Sequence, residues 1–349
     1  MMNQKLLKIL ENFSLAGKIT DISPLNSGHI NDTWKVSLND KVFVLQKINK
    51  NVFKKPAEIM ENARRVLSHL KKKKVFKKDL EILKTRDEKL FFIDRNGDYW
   101  RVYNFIENAS SYDIVPSARH AFEGARGFGL FIKALADLPE PPLYEILPDF
   151  HNTAWRYENF LKALPAASEQ RLKKAASLIA DAKKLSFLKS KILDLLDSGE
   201  IPLRVTHNDT KLNNALLDND TLETVAIIDL DTLMPGSVLY DFGDYVRSAA
   251  RIGAEDEADL SKVSFSQEFF EAALKGFLEA GKGLLNQAEI DNLPVSGAVI
   301  TYEMGLRFLT DFLEGDIFYK TSHPEQNLHR CAVQFKIVNE MLAYFNKTN

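Results

Sequence analysis

One polar segment holds three side chains that can do chemistry together. The stretch RVTHNDTKLNNALLD, residues 204–218, carries His207, Asp209 and Asn214. It lies between a β-prone run at 203–205 and an apolar run at 215–217, so a loop between two short strands is expected. Loops held by a rigid scaffold are common carriers of function. Downstream, the apolar run VAIID ends in a second acid, Asp229. One carboxylate of such a set can orient a hydroxyl and accept its proton. An amide oxygen and another carboxylate can hold magnesium, which prefers hard oxygen ligands. That division of labour suits phosphoryl transfer, where positioning and charge neutralisation matter more than a strong base. His-x-Asp alone is a weak signal; the strand-loop-strand arrangement with its second acid is a stronger one.

The elements around this loop divide into two regions. A short amphipathic helix is expected over 4–13. The stretch ITDISPLNSGHINDTWKVSLNDKVFVLQKIN reads as three strands separated by turns at Asn26-Ser27-Gly28 and Asn39-Asp40. Pro56 opens a helix whose apolar residues recur at helical spacing: Ile59, Ala63, Val66, Leu67, Leu70. KLFFIDRNGDYWRVYNFI reads as a hairpin turning at Asn96-Gly97. Beyond residue 108 helical patterns dominate, interrupted by a Pro-rich stretch at 139–151, by the polar loop and by the strand TVAIIDLD.

The pattern His207-x-Asp209-x(4)-Asn214, followed by an apolar strand ending in Asp229, resembles the catalytic segment of protein-kinase-like folds. It resembles more closely that of the aminoglycoside phosphotransferase and choline kinase group. The resemblance implies an α+β, bilobal protein-kinase-like fold. A β-rich N-lobe would span 1–107 and a mostly helical C-lobe, with catalytic loop and acceptor site, 108–349. ATP and Mg2+ would be the cofactors. Asp209 would be the catalytic base, and Asn214 and Asp229 would bind the metal. His207 would hold the loop by hydrogen bonds. Asp231 would share a strand face with Asp229 and offer a second metal contact, by analogy with the acidic pair of related kinases. A literal Asp-Phe-Gly occurs at Asp241-Phe242-Gly243, but it follows a Pro-Gly turn and lies 32 residues beyond Asp209, whereas Asp229 lies 20 beyond. An acid at Asp241 or Asp244 is expected to brace the catalytic loop instead.

The resemblance also places nucleotide groups. NSGHINDTW lies where kinase-like folds cover the ATP phosphates, which points to Ser27, Gly28 and His29. It has one glycine, and a plain hairpin turn is the competing reading. Set against the Val-Ala-Ile-Lys strand of kinases, FVLQKIN puts Gln46 at the lysine position, with Lys47 next. These two face opposite ways. Either the strand shifts to bring Lys47 inward, or Gln46 makes a weaker contact. The partner acid would be Glu58 or Glu61. YNFIEN, with Phe105 and Glu107, would be the hinge whose backbone meets adenine.

Within that group, GHINDTW, IIDLDTLMPGSVLYDFGDYVR and GLRFLTDFLEGDIFYK with HPEQNLHRCAVQFKIV look like the kinases of N-acetylhexosamines, over about residues 20–345. This implies a small-molecule sugar partner phosphorylated on its anomeric hydroxyl. Asp32, Lys211, Arg307, Phe318 and Tyr319 are the expected acceptor-side residues, with His29 also within reach. Arg307 could instead pair with Asp311, its i+4 neighbour. His151, Asn152 and Arg156 are offered to the sugar, against an equally weighted structural reading. The alternatives are a kinase of aminoglycosides, choline or homoserine, and a non-catalytic nucleotide-binding scaffold. The intact Asp209, Asn214 and Asp229 argue against the scaffold.

Composition bounds the rest. A net charge of -2 argues against a nucleic-acid binder, and no apolar run reaches membrane-spanning length. The basic run KKKKVFKK at 71–78 is expected to be the solvated end of a helix. The single cysteine, Cys331, excludes an internal disulfide. A cytoplasmic protein, monomeric or weakly dimeric, is expected.

Overall fold

The computed structural model describes residues 4–25, 30–39 and 41–348. Its N-terminal part is built on β1 (Ile19–Pro24), β2 (Asp32–Leu38), β3 (Lys41–Lys47), β4 (Ile82–Leu83), β5 (Phe92–Ile93) and β6 (Tyr99–Asn104). They form one antiparallel sheet in the order β1-β2-β3-β6-β4, with β5 also on β6. Alternation along the strands gives the sheet two distinct faces. Trp34, Val36, Leu45, Trp100 and Val102 lie on one face, packed against Leu6, Ile9 and Leu10 of α1 (Gln4–Leu10). Thr33, Gln46 and Arg101, in register on three neighbouring strands, lie on the other. The expected Asn96-Gly97 hairpin is present, with Gly97 at φ 71°, a value that glycine adopts without strain.

Helix α2 (Pro56–Lys73) follows the third strand, as Pro56 and the apolar spacing predict, and buries Ile59, Met60, Ala63, Val66 and Leu70. The basic run at its end is solvated. Lys71 pairs with Glu81, Lys73 with Asp137 and Lys77 with Glu223.

After β6 the chain crosses at 105–108 into β7 (Ala109–Ser110), which pairs with β9 (Ala215–Asp218). The connector thus joins the catalytic hairpin, β9 with β10 (Thr224–Ile227), through backbone hydrogen bonds. The other small ladder joins β8 (Arg204–Thr206) to β11 (Met234–Gly236). Around them lie α3 (Ala118–Leu135), α4 (Thr153–Ala163), α5 (Glu169–Lys174), α6 (Ala176–Lys184), α7 (Lys191–Asp197), α8 (Val238–Ala249), α9 (Gln267–Gly281), α10 (Gln287–Glu314) and α11 (Gln326–Thr348). Helix α3 lies close against the catalytic hairpin because Gly127 faces Thr224, where a Cβ would overlap the threonine side chain. Asn286 and Glu289 cap α10 with a reciprocal capping box. Glu289 also accepts from Arg204 at 2.8 Å, which fixes the start of this central helix to β8.

Two expectations change. The helical stretch 152–198 is broken into four helices, with 3-10 turns at Leu164–Ala166 and Leu185–Leu188; Pro165 cannot continue an α-helix because it lacks the N–H. The strand TVAIIDLD stops at Ile227, and a 3-10 turn takes Leu230–Thr232. Among the described residues no helix is long and apolar enough to cross a membrane.

Candidate active site

The catalytic loop is anchored from several sides. Asp241, at the start of α8, accepts the backbone N–H of His207 at 2.9 Å and that of Asn208 at 2.7 Å. Thr210 donates to the Asp241 carbonyl. Thr232 donates to the His207 carbonyl at 2.7 Å, and Asn208 donates its amide to the Thr232 carbonyl at 2.9 Å. His207 donates from Nε2 to the Ile228 carbonyl at 2.9 Å, while its Nδ1 accepts from the Asp209 backbone at 3.3 Å. The rings of Phe128 and Phe131 contact the imidazole edge-on. Asp241 of the Asp-Phe-Gly triplet therefore braces the loop and does not face the cleft. Its burial pushes the carboxyl up to about 6, against the opposing pull of His207 and of the two backbone donors.

These contacts hold Asp209 half-buried at the loop's tip. Burial alone would raise its pKa, but the Lys211 ammonium, 2.7 Å away, holds the carboxyl below its ordinary value. Asn214 donates its amide to the Asp209 carbonyl at 2.8 Å and to its Oδ2 at 3.2 Å. The Asn214 carbonyl accepts the Ile228 N–H at 2.9 Å, which sets Asn214 beside the residue preceding Asp229.

Asp229 adopts a left-handed φ of 59° and opens to the cleft. Its carboxylate has no hydrogen-bond partner among the described residues. Desolvation, then the charges of Asp231 and Asp209, push it up to about 7. The Asn214 amide nitrogen is committed to Asp209, so its oxygen and the Asp229 carboxylate are the hard-oxygen groups that could offer contacts to a magnesium ion. Among the described residues no group of three or more His, Cys, Asp or Glu is placed to hold a metal ion.

Asp231 does not join that pair. The left-handed turn at Asp229 ends the strand alternation on which a shared face depended. The Asp231 carboxylate is 2% exposed and taken by Arg101 of β6, through Nη1 and, at 2.9 Å, Nη2, and by Asn31 at 2.7 Å. The expectation of a second metal contact at Asp231 is therefore corrected.

The strand lysine is corrected too. Lys47 sits on the sheet face that carries α1 and binds Asp98 at 2.8 Å. Gln46 faces the cleft, donating to Thr33 at 3.2 Å and accepting from Arg101 Nε at 3.0 Å. Asp32 pairs in register with Lys47, so it shares that outer face and points away from the cleft. Neither candidate acid on α2 meets a strand lysine: Glu58 pairs with Lys55, and Glu61 with Arg64. Phe105 lies on the connector, its N–H bonded to the Val42 carbonyl at 3.1 Å, and the Glu107 carbonyl accepts from Lys78. Ser27, Gly28 and His29 lie outside the described residues.

The residues expected on the acceptor side gather around α10. Glu303 receives His151 at 3.1 Å and Thr153 at 2.7 Å; His151 in turn donates to the Asn208 carbonyl at 3.0 Å. One turn on from Glu303, Arg307 lies between the rings of Phe150 and Tyr319, 5.6 and 5.8 Å from their centroids. It does not pair with Asp311, which accepts instead from the backbone of Phe318 and Tyr319 and from Asn327. Phe318 is 67% exposed at the rim, and its ring contacts Tyr319. Arg156 donates to the Phe150 carbonyl at 3.1 Å and has its Nε buried without a partner, as is the Tyr319 hydroxyl. Asn152 is the cap of α4. Glu255 pairs with the buried Arg247 at 3.2 Å.

The chain matches the phosphotransferase enzyme family over residues 21–277. It belongs to that family. The fold is similar to a microcompartment-associated aminopropanol kinase, at 15% identity over 97% of each chain with a TM-score of 0.68. It is similar to a spectinomycin phosphotransferase solved with ADP and spectinomycin, at 13% identity over 98% of each chain with a TM-score of 0.62. A choline kinase from Cryptosporidium parvum Iowa II matches at 14% identity over 99% of this chain and 96% of its own, with a TM-score of 0.58. The chain is a small-molecule phosphotransferase with a mixed α+β, protein-kinase-like fold.

Sequence reasoning about this phosphotransferase missed Arg101, Asn31 and Glu303. Arg101 carried a signal: a lone cation between Trp100 and Val102, in a strand buried on both faces, needs a partner. Glu303, in an otherwise apolar helical stretch, carried the same one.

Proposed function

We propose that this phosphotransferase transfers the γ-phosphoryl group of ATP, with magnesium, to the anomeric hydroxyl of an N-acetylhexosamine, giving the sugar 1-phosphate. Residues 1–107 form the nucleotide side and 108–349 carry the catalytic loop and sugar site. Asp209 orients the hydroxyl and takes its proton. A hemiacetal hydroxyl is more acidic than an ordinary alcohol, so a carboxylate held low by Lys211 serves as a sufficient base. Asn214 and Asp229 would hold the magnesium, which would neutralise phosphate charge. Phe105 and Glu107 on the connector would meet adenine, and Ser27, Gly28 and His29 would bind the phosphates.

The observation that carries the acceptor class is the wall formed by Arg307, Arg156 and Tyr319. Arg307 has no carboxylate partner among the described residues, and Arg156 Nε and the Tyr319 hydroxyl are buried without one. A ligand that brings oxygen atoms would satisfy these groups. A neutral amido sugar offers hydroxyls and an acetamido carbonyl, and the Phe150 and Tyr319 rings offer it an apolar wall. Choline and aminoglycosides bring positive charge to a wall already lined by arginines, which disfavours them.

Phosphorus NMR on the protein with ATP, magnesium, N-acetylglucosamine and N-acetylgalactosamine tests this. The expected result is a new phosphate signal coupled to an anomeric proton. If instead choline, aminoglycosides or homoserine are phosphorylated and the sugars are not, the acceptor assignment falls.

A further inference from the structure

The cleft face of β3 carries a glutamine where a kinase-like strand would carry a lysine. The cation there comes from the neighbouring strand. Arg101 sits opposite Gln46 in the ladder and is held by it at Nε. Its Nη1 also lies 3.7 Å from Met60 Sδ of α2. From this seat it crosses to the helical region and grips Asp231, with both side chains almost fully buried. Asn31, which opens β2, donates to the same carboxylate at 2.7 Å. Its own Oδ1 accepts the N–H of Asn49, just past β3, at 2.9 Å. One carboxylate, two residues beyond Asp229, therefore gathers β6, the end of the β1–β2 loop and the segment after β3.

A guanidinium and a carboxylate out of water need each other, because either one alone would be an uncompensated buried charge. A fork-to-fork pair also fixes direction, which a lysine would not. We propose that Arg101 is a positioning residue: its pair with Asp231, joined by Asn31, latches the N-terminal sheet onto the turn that carries Asp229. The latch holds Asn31, at the start of β2, and the turn that carries Asp229 in one relative position before nucleotide arrives. A protein that must find this closed arrangement for itself binds nucleotide more weakly, in proportion to the fraction of time spent closed. The inference rests on the nucleotide-binding half of the function proposed above, but not on the sugar.

The test is a double-mutant cycle on the full chain: Arg101→Met, Asp231→Asn, and both together. MgADP affinity is read by calorimetry, and hydrogen exchange is read at the Asn49 amide. A latch predicts that each single change weakens MgADP about tenfold, and that the double change is no worse than either single, because partners in one contact are not additive. Arg101→Lys should recover part of the loss. Exchange at Asn49 should accelerate in every weakened variant. If Asp231 were a metal ligand, Asp231→Asn would reduce magnesium-dependent affinity while Arg101→Met left it unchanged, and that result overturns the latch. Unaltered exchange at Asn49 overturns it as well. Should the buried variants fail to fold, Asn31→Ala removes one strand of the junction from its half-exposed side. It should weaken MgADP about threefold with faster exchange at Asn49, and no change in either would reject the proposal. A wild-type chain that does not bind MgADP, with variants that do exchange faster, would retain the latch and remove the nucleotide reading.

Discussion

The loop around Asp209 and the proposed acceptor wall around Arg307, linked through His151, differ in how their polar groups are paired. In the loop most polar groups are satisfied within the protein: the His207 and Asn208 amides by Asp241, the His207 carbonyl by Thr232, and both imidazole nitrogens of His207 by backbone, while Asn213 Oδ1 is buried without a partner among the described residues. In the wall, Arg156 Nε and the Tyr319 hydroxyl are buried without partners. A satisfied network fixes one geometry, while buried donors without partners leave free energy to be recovered when a ligand supplies the missing oxygens. On the proposed function, the loop would hold reacting groups still and the wall would be completed by its substrate.

The largest test of that contrast is at the loop's tip. Asp209→Asn keeps the shape and the Asn214 contacts but removes the proton acceptor. Turnover should fall roughly 100-fold or more, with nucleotide affinity and melting temperature close to wild type. Near-normal turnover would take the base role away from Asp209.

The tie between the two regions is His151, and its effect should depend on pH. Both ring nitrogens face oxygens, of Glu303 and of the Asn208 carbonyl. Burial works against the imidazolium, but Glu303 outweighs it and raises the His151 pKa above the ordinary value. Glu303 is itself lowered: burial opposes its charge, and His151 more than compensates. A raised histidine contributes fully below its unfolded pKa of about 6.5, and the contribution fades as pH rises through the folded value. The lowered Glu303 contributes above its ordinary range and loses that as pH falls through its depressed value. His151→Gln should therefore cost about 1–3 kcal/mol in urea unfolding near pH 6, as a lost buried partner does. The gap should narrow toward pH 9. A gap that is constant with pH would mean that the imidazole is uncharged in the folded protein.

How far these parts could be read in the sequence follows from how local their causes are. The polar loop, the strand before Asp229, the Asn96-Gly97 hairpin and the Pro56 helix depend on neighbours within a few residues, and their positions were legible. Which way Lys47 and Gln46 face depended on the register of β3 against β2 and β6, which no local pattern states. Arg101 meets Asp231 across 130 residues, and His151 meets Glu303 across 152. Asp231 was misread for a local reason: the left-handed backbone at Asp229 breaks the alternation that an apolar run suggests. Non-glycine residues adopt that conformation seldom, so the run gave no hint of it.

On the wall the expected effects are smaller and appear in acceptor binding. Arg307→Met keeps the apolar stem between Phe150 and Tyr319 and removes the charged donors. The acceptor KM should rise about tenfold while the nucleotide KM stays put, the usual size of a lost hydrogen bond to a charged group. An equal rise in both would place Arg307 in the loop's support and not in the wall.

The smallest change gives the sharpest contrast. Tyr319→Phe deletes a hydroxyl that has no hydrogen-bond partner among the described residues. In the loop, removing a polar group would strip a partner from another group and destabilise the fold. Here it relieves a buried oxygen of its desolvation, so the unfolding midpoint should stay level or rise slightly. The acceptor KM should nonetheless rise roughly threefold, because on the proposed function a bound sugar would lose a contact of about 0.5–1.5 kcal/mol. Stability and acceptor affinity would then move in opposite directions for the removal of one oxygen atom. A clear fall in the midpoint, with the acceptor KM unmoved, would mean that the hydroxyl serves the fold, and the contrast between loop and wall would fail at that position.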